Sequence, residues 1–153
     1  MVNYSSSKEG ADRVLGEITA KRGGAIAVQG DVSKQTDITR LFVETKKASG
    51  KVNILVNNAG VYKCAPLEGG TEALFHSHSN PNVLGPLLTT KEAVKLISPE
   101  GGSIIHISSG ISTMLPPDTT VYSATKPSVD AITARLAKKL GLRKVRVNSI
   151  TRA

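Results

Sequence analysis

The feature that most constrains this 153-residue chain is a regular alternation of short apolar runs with longer amphipathic segments. Residues 52–56 form a nearly continuous apolar run, typical of a strand that is covered on both faces. Between such runs, apolar residues recur at helical spacing, as at Ala11, Leu15 and Ile18, and again at Ile38, Leu41 and Phe42, which share one face. The alternation predicts βαβ units around a parallel sheet, with right-handed crossovers.

The boundaries of the predicted elements come from the apolar periodicity and from glycine and proline positions. Helices are predicted over 8–22, 31–49, 71–97 and 118–140. Strands are predicted over 2–4, 25–28, 52–56, 103–108 and 144–150. We find no internal repeat and no linker, so the sequence predicts one α/β domain over residues 1–153.

Composition narrows the function classes. The net charge is +8, but the cations are spread along the chain and aromatic residues make up 3%, too few to stack nucleic-acid bases. We therefore expect a solvated basic surface, with a nucleic-acid-binding domain as the weakest alternative. The sequence predicts no membrane span and no signal peptide. Cys64 is the only cysteine, which fits a reducing compartment and leads us to expect a cytoplasmic protein.

The most informative segment is Tyr122-Ser123-Ala124-Thr125-Lys126. Positions four apart share one face of a helix, so the Lys126 ammonium can lie near the Tyr122 phenol. A free phenol loses its proton only near pH ~10, and a nearby cation favours the phenolate. Such a pair can exchange protons with an alcohol or a carbonyl. Alone, the spacing is weak, because any amphipathic helix offers it by chance.

Polar side chains follow the predicted strands and give this pair a context. Ser109 follows the strand 103–108, and Asn57-Asn58-Ala59-Gly60 follows the strand 52–56. In open α/β sheets, ligands bind at the carboxyl ends of the strands. Asn82 lies in the helix between these two strands.

With these motifs the chain resembles the short-chain dehydrogenase/reductase family over nearly its whole length. Four ordered motifs carry the resemblance: Asp31-Val32, Asn57-Asn58-Ala59-Gly60, the tetrad Asn82, Ser109, Tyr122 and Lys126, and Val145-Arg146-Val147-Asn148. The resemblance implies a Rossmann-like doubly wound parallel sheet that is missing its first strand. It also implies an NAD(P)-dependent oxidoreductase.

The resemblance further implies a role for each candidate catalytic residue. Tyr122 would be the acid in carbonyl reduction and the base in alcohol oxidation. Lys126 would favour the phenolate and bind the nicotinamide ribose, and Ser109 would hydrogen-bond the substrate oxygen. Asn82 would hold a water that links Lys126 to solvent.

Further residues are candidates for cofactor binding. The resemblance assigns this role to Asp31, Val32, Asn58, Ala59, Gly60, Tyr122 and Lys126. The segment 2–7 contains no carboxylate to accept the ribose hydroxyls of NAD. Instead, Asn3, Ser5 and Ser6 could hydrogen-bond a 2′-phosphate, which favours NADP, with NAD as the alternative. Lys8 could pair with that phosphate, unless the loop is a solvated cap of the next helix.

The family's glycine-rich phosphate loop, Thr-Gly-x-x-x-Gly-x-Gly, does not occur in the 153 residues, which stop before its proline-glycine turn. We therefore expect a truncated chain that binds NADPH weakly, because that loop supplies the phosphate cradle. Without a central first strand, its two neighbours either pair directly or keep unpaired backbone groups. A non-catalytic homologue, acting through helix association or without function, remains the alternative.

Two prolines bear on the candidate site. Pro127 directly follows Lys126 and would cost about 3 kcal/mol inside a helix, but little near its start. Pro86 stands four residues after Asn82 and leaves the Asn82 carbonyl without its helical donor, which predicts a bend there. The alternative is that Pro81 and Pro86 are merely tolerated. His76, His78 and His106 do not have metal-ligand spacing, so no metal is expected.

For partners, the sequence predicts a small carbonyl or alcohol substrate and neither nucleic acid nor membrane. The resemblance implies a homo-oligomer of the complete enzyme, paired through the helices at 71–97 and 118–140. The substrate itself stays open among a small ketone, a sugar and a carrier-bound keto group.

Overall fold

A computed structural model describes residues 1–114 and 116–152, except for the side chains of Ser112 and Arg152. The strands are β1 Val2–Tyr4, β2 Ala27–Gln29, β3 Ile54–Asn57, β4 Gly102–Ser109 and β5 Val145–Arg152. The α-helices are α1 Lys8–Ala20, α2 Gln35–Ser49, α3 Glu72–Ser79, α4 Gly85–Ala93, α5 Ile111–Met114 and α6 Thr120–Leu140. Within the described residues, no helix combines the length and apolarity that a membrane crossing requires.

The strands form two parallel sheets, which confirms the α/β class predicted from the sequence. In the smaller sheet β1 pairs with β2, with Asn3 opposite Val28. In the larger sheet β4 lies between β3 and β5, with Ile104 opposite both Leu55 and Val147. Every strand pair is separated in the sequence by a helix, as expected of βαβ units.

A groove of about 490 Å³ separates the two sheets. Its walls include Asn3 of β1 and all of β3, and its floor includes Phe42 of α2 and Thr89 of α4. Strands β1 and β3 therefore do not pair with each other. Of the two outcomes predicted for the neighbours of the missing strand, the one observed is that backbone groups at their facing edges stay unpaired. Ile54 and Val56 are 64% and 52% exposed at this edge of β3, although both are apolar.

The core lies between the larger sheet and the helices around it. Ile38, Leu41 and Phe42 on one face of α2 are buried together with Ile104 of β4, as the helical spacing predicted. Val145 and Val147 of β5 close the same cluster. This packing fixes the carboxyl ends of β3 and β4, where the candidate site lies.

The predicted third helix is divided at Asn82. The chain forms a π-helical turn over Asn80–Leu84 between α3 and α4, in which the Gly85 N–H bonds to the Asn80 carbonyl. Pro86 lies inside α4. The sequence predicted a bend at Asn82, and the structure places a π-turn there, which is a recognised cause of helix kinks. A Cβ added to Gly85 would lie 3.0 Å from the Val32 carbonyl, so a side chain there would push the turn away from the segment between β2 and α2.

Helix α6 carries Pro127 in its interior, where the penalty of a missing N–H applies. The helix begins at Thr120, so the Ser123 carbonyl lacks its helical donor. Lys126 is nevertheless buried, and its ammonium donates to the Ile107 carbonyl of β4 at 2.9 Å. The proline therefore does not turn Lys126 away from the sheet.

Candidate active site

A cleft of about 440 Å³ lies at the carboxyl end of β4. Three of the four candidate catalytic residues line it: Ser109, Tyr122 and Lys126. Asn58 and Gly60, from the segment after β3, line it as well. The structure thus gathers in one place residues that are up to 68 positions apart in the sequence (Asn58 to Lys126).

Tyr122 and Lys126 lie one turn apart on the buried side of α6. The Lys126 Nζ is 5.6 Å from the centre of the Tyr122 ring. Burial lowers the pKa of the Lys126 ammonium from its ordinary value, and the negative charge of Asp130 partly opposes that effect. The pair therefore has the proximity that phenolate stabilisation requires, in a setting that disfavours an uncompensated cation.

Ser109 is the last residue of β4, so the strand fixes its position relative to the helix that carries Tyr122. Its hydroxyl oxygen accepts a long hydrogen bond of 3.3 Å from the Ile111 N–H at the start of α5. A hydroxyl at this point can donate to an oxygen bound in the cleft.

Asn82, the fourth candidate, lies behind the cleft and is buried at the π-turn. Its side-chain oxygen accepts from the Val61 N–H at 2.8 Å, and its amide donates to the Val61 carbonyl at 3.0 Å. The same amide donates to the Thr125 hydroxyl at 3.2 Å. A Cβ added to Gly60 would lie 3.0 Å from the Asn82 oxygen, so glycine permits this close approach. Asn82 therefore holds the loop after β3 against α6.

His78 anchors the same loop, a role that the sequence analysis missed. Its Nε2 accepts from the Lys63 N–H at 3.1 Å, and its Nδ1 lies 3.0 Å from the Leu74 carbonyl. A carbonyl can only accept, so Nδ1 carries the proton and the ring is neutral. The anchored loop stacks the Tyr62 ring edge-on against Tyr122, with the ring centres 4.6 Å apart. No sequence spacing signals this contact, because it joins a loop to two helices.

His106 lies in the sheet as a hydrogen-bonded residue, as the sequence predicted. Its Nδ1 is 2.8 Å from the Thr133 hydroxyl, which itself donates to the Val129 carbonyl, so Nδ1 is the donor. Its Nε2 lies 3.3 Å from the hydroxyl of Thr90. Burial lowers the pKa of His106, which is fully enclosed. A neutral imidazole therefore joins α4, β4 and α6 behind the cleft.

A second cavity of about 460 Å³ lies near the carboxyl end of β1. Two of the cofactor candidates, Ser5 and Asp31, line it. The Asp31 carboxylate accepts from the Ser33 N–H at 2.9 Å and the Ser33 hydroxyl at 2.7 Å. These bonds lower the pKa of Asp31 and fix its side chain as an acceptor at the rim of the cavity.

The other candidates near β1 have different surroundings. Asn3 faces the groove, and its amide donates to the carbonyls of Val28 and Gly30 at 3.3 and 2.9 Å. Ser6 is exposed, and Ser7, its neighbour, caps α1 by accepting from the Gly10 N–H at 3.2 Å. The sequence thus placed the helix cap correctly in this loop, while the amide of Asn3 is already engaged by β2.

The remaining candidates for cofactor binding are Lys8, Val32 and Ala59. The Lys8 ammonium pairs with the Asp12 carboxylate one turn later at 2.5 Å. Val32 and Ala59 line the groove between the sheets rather than the cleft, and Asn58 lines both.

No group of three His, Cys, Asp or Glu side chains converges as metal ligands within residues 1–114 and 116–152. His76 instead lies 3.5 Å from the Glu72 carboxylate, and His78 uses both ring nitrogens as described above.

The residues around the two cavities fit a nicotinamide nucleotide. Its phosphate and ribose oxygens need donors and acceptors at the carboxyl ends of the strands, where Ser5, Asp31, Asn58 and Lys126 lie.

Comparisons with known proteins agree with this geometry. A family model described as short chain dehydrogenase matches residues 1–153. The chain is 46% identical over 151 residues to an uncharacterised oxidoreductase of Methylorubrum extorquens, covering 99% of this chain and 60% of that protein. It is 35% identical over 151 residues to a 3-oxoacyl-[acyl-carrier-protein] reductase of Synechocystis, covering 98% of this chain and 61% of that protein.

A solved structure gives the same result. The chain superposes on a short chain dehydrogenase from Burkholderia cenocepacia in complex with NADP, with a TM-score of 0.92 and 30% identity. That match covers 97% of this chain and 61% of the other. The chain thus spans about 60% of the length of the relatives it matches. The chain belongs to the short-chain dehydrogenase/reductase family.

Proposed function

We propose that this protein is an oxidoreductase that interconverts a carbonyl and an alcohol with NADP(H), and that Tyr122 is its acid and base. The observation that carries the proposal is the convergence of Tyr122, Lys126 and Ser109 on one cleft. The NADP complex of the similar Burkholderia cenocepacia enzyme supports the choice of cofactor.

When bound, the nicotinamide cofactor would supply the hydride chemistry at the carbonyl carbon, in the reducing and in the oxidising direction. The Tyr122 hydroxyl gives its proton to the carbonyl oxygen, so one C–H and one O–H bond form while the C=O double bond becomes single. In oxidation the phenolate takes the proton back from the alcohol. The Ser109 hydroxyl donates to the same oxygen and orients it toward Tyr122.

Lys126 acts as the fixed cation beside the reacting phenol. Its hydrogen bond to the Ile107 carbonyl ties the ammonium to β4, and α6 holds it one turn from Tyr122. The other N–H groups of the ammonium would bind the cofactor ribose, the role that the family resemblance implies for Lys126. Asn82 holds the loop after β3 through Val61. The water-relay role that the family resemblance implies for Asn82 is also part of this proposal.

For the cofactor, we propose NADP, with Asn3, Ser5 and Ser6 near its 2′-phosphate and with Asp31 and Val32 at the adenine. Asn58, Ala59 and Gly60 would follow the cofactor from the groove to the cleft. Support comes from the two exposed hydroxyls of Ser5 and Ser6 and from the absence of a carboxylate in segment 2–7. In this proposal Lys8 contributes only if it leaves Asp12.

The test of the proposed function is Tyr122→Phe in the full-length protein. Turnover should fall by a factor of about 10²–10⁴ or more, because the proton donor is lost, while NADPH affinity should change little. NADPH oxidation is followed by fluorescence with small ketones, keto sugars and ethyl acetoacetate as probes, and NADPH binding by calorimetry.

Tyr62→Phe is the matched control, since it removes a phenol hydroxyl from the same cleft and keeps the ring that packs against Tyr122. Its turnover should stay within a factor of about three of the parent. Tyr122→Phe turnover that stays as high would remove Tyr122 from its role. A parent protein that binds NADPH but reduces none of the probes would favour the non-catalytic alternative.

We also propose that the protein pairs with a second copy through α4 and α6. Leu84 and Leu87 are 40% and 42% exposed on the π-turn and α4. Sedimentation should detect a dimer or tetramer that Leu87→Lys weakens, whereas a folded monomer at high concentration would contradict the pairing.

A further inference from the structure

Asp130 is a carboxylate of α6 to which the proposed function assigns no role. Its Oδ2 accepts from the buried Ser108 hydroxyl at 3.0 Å. Its Oδ1 is enclosed and has no hydrogen-bond partner in the described part of the chain. An enclosed carboxylate oxygen without a hydrogen bond raises the free energy of the folded state. We therefore expect a positive group nearby to compensate the charge.

Lys126 is the nearest cation in the sequence on the same helix face. It precedes Asp130 by four residues, so one turn of α6 separates the two side chains. Both side chains bind the strand beneath: Lys126 donates to the Ile107 carbonyl, and Asp130 accepts from the side chain of the next residue, Ser108. In the described residues the two charges are close enough to influence each other, but they form no ion pair within 4.0 Å. The two charged groups therefore lie over adjacent residues of β4.

Burial acts on the two groups in opposite ways. An ammonium as enclosed as that of Lys126 loses solvation and tends toward the neutral amine, in which form it could not stabilise a phenolate. An adjacent carboxylate compensates for this loss. The lowered pKa of Lys126 reflects both influences, with burial the larger and Asp130 opposing it.

We propose that Asp130 is a positioning residue whose buried carboxylate, held by Ser108, is the counter-charge that keeps Lys126 an ammonium beside Tyr122. The proposal rests on the proposed function only in giving Lys126 its role next to the phenol. A purely structural Asp130 would hold Ser108 and leave the charge of Lys126 unchanged.

His106 is the other titratable group that faces Asp130, from β4. The negative charge of Asp130 raises the pKa of His106 while burial lowers it more strongly. His106 is already neutral, so removal of the Asp130 charge makes it more firmly neutral and adds no new charge. The response of Lys126 can therefore be read without a competing change at His106.

The test is Asp130→Asn, which keeps the shape and removes the charge. The pH at which the Lys126 ammonium loses its proton should move down by about one unit, because the negative charge that favours the ammonium is gone. This transition is measured by nitrogen-15 NMR of the Lys126 Nζ, which is assigned by its loss in Lys126→Arg. A midpoint unchanged in a folded Asp130→Asn variant would overturn the inference.

Two variants separate charge from hydrogen bonding. Asp130→Glu keeps the charge and should leave the midpoint of the Lys126 titration within about 0.3 pH unit of the parent. Ser108→Ala removes the hydrogen bond but not the carboxylate, so its midpoint should also move by less than about 0.3 unit. A shift in Ser108→Ala as large as that in Asp130→Asn would make the role structural.

A measurement on the unchanged protein covers the case in which Asp130→Asn does not fold. Nitrogen-15 NMR of the Lys126 Nζ, assigned by its loss in Lys126→Arg, should show an ammonium at neutral pH. A neutral amine there would overturn the inference. If Tyr122→Phe retained turnover the proposed function would fail, but these titrations would still decide on Asp130.

Discussion

The two sheets of this chain differ in what holds them. Strands β1 and β2 have three residues each, and none of them is buried. Strand β4 has eight residues between two neighbours, and Ser103, Ile104, His106 and Ser108 are buried within it. The larger sheet carries the proposed proton chemistry, and the smaller one carries the residues proposed to bind the adenosine end of the cofactor.

This difference suggests that the two regions tolerate changes in atomic position to different degrees. Proton transfer needs heavy atoms within hydrogen-bond reach, so its groups belong on a sheet that packing holds on both faces. Recognition of a phosphate by hydroxyls tolerates adjustment on binding, so an exposed loop such as Ser5–Ser6 can supply it.

The first prediction compares the two sheets by truncation of side chains, and its effect is the largest expected. Ile104→Ala should lower the free energy of unfolding by about 2–5 kcal/mol, because it leaves a cavity at a fully enclosed position. Urea denaturation followed by circular dichroism gives this value.

The same substitution at two valines sharpens the comparison. Val147→Ala, opposite Ile104 in β5, removes buried methyl groups and should cost more than Val28→Ala in β2, whose side chain is only half-buried. We expect about 1 kcal/mol or less for Val28→Ala. Equal losses at the two valines would show that the sheets are equally well packed.

The second prediction concerns the stability of the protein at acidic pH, and the expected effect is smaller than that of Ile104→Ala. Burial lowers the folded-state pKa of His106, so the unfolded chain binds the proton more readily. The contribution is complete above the unfolded pKa of about 6.5 and is lost as the pH falls below it, by at most about 1.4 kcal/mol per pH unit. His106→Gln should flatten the dependence of stability on pH between about 6.5 and 5.

Asp31, beside the smaller sheet, should affect stability in a different pH range from His106. Hydrogen bonds from Ser33 lower its folded-state pKa, so its contribution is present above the unfolded pKa of about 3.9 and is lost as the pH falls through the lower folded value. Asp31→Asn should therefore lower stability by a constant amount above about pH 4 and flatten its pH dependence below that, leaving the slope in the His106 range unchanged. A changed slope near about pH 6 in Asp31→Asn would couple the two regions.

Much of the fold follows from local patterns in the sequence. The apolar runs and the periodicity of segments such as Ile38–Phe42 correctly predicted the order of strands and helices, and the family assignment is confirmed. Boundaries moved by a few residues: α2 begins at Gln35 rather than at Asp31, because Asp31 and Ser33 form a turn before it. The roles of Tyr122, Lys126, Ser109 and Asn82 stay predictions.

Long-range contacts are the part that the sequence did not reveal. His78 was considered only as a metal ligand, but it binds the Lys63 backbone across 15 residues. Asp130 offered a usable signal, since its spacing of four from Lys126 places both on one face. Its contact with Ser108 depends on how α6 lies on β4, which local periodicity does not specify.

The exposed edge of β3 has a consequence for the behaviour of the chain in solution. In the described residues β3 is hydrogen-bonded on one side only, to β4, and Ile54 and Val56 stand beside its free edge. An apolar strand edge is a template for another extended segment, including the same strand of a second molecule. Concentrated solutions of the chain will therefore favour intermolecular β-pairing at this edge, and colloidal stability will depend on how well it is covered.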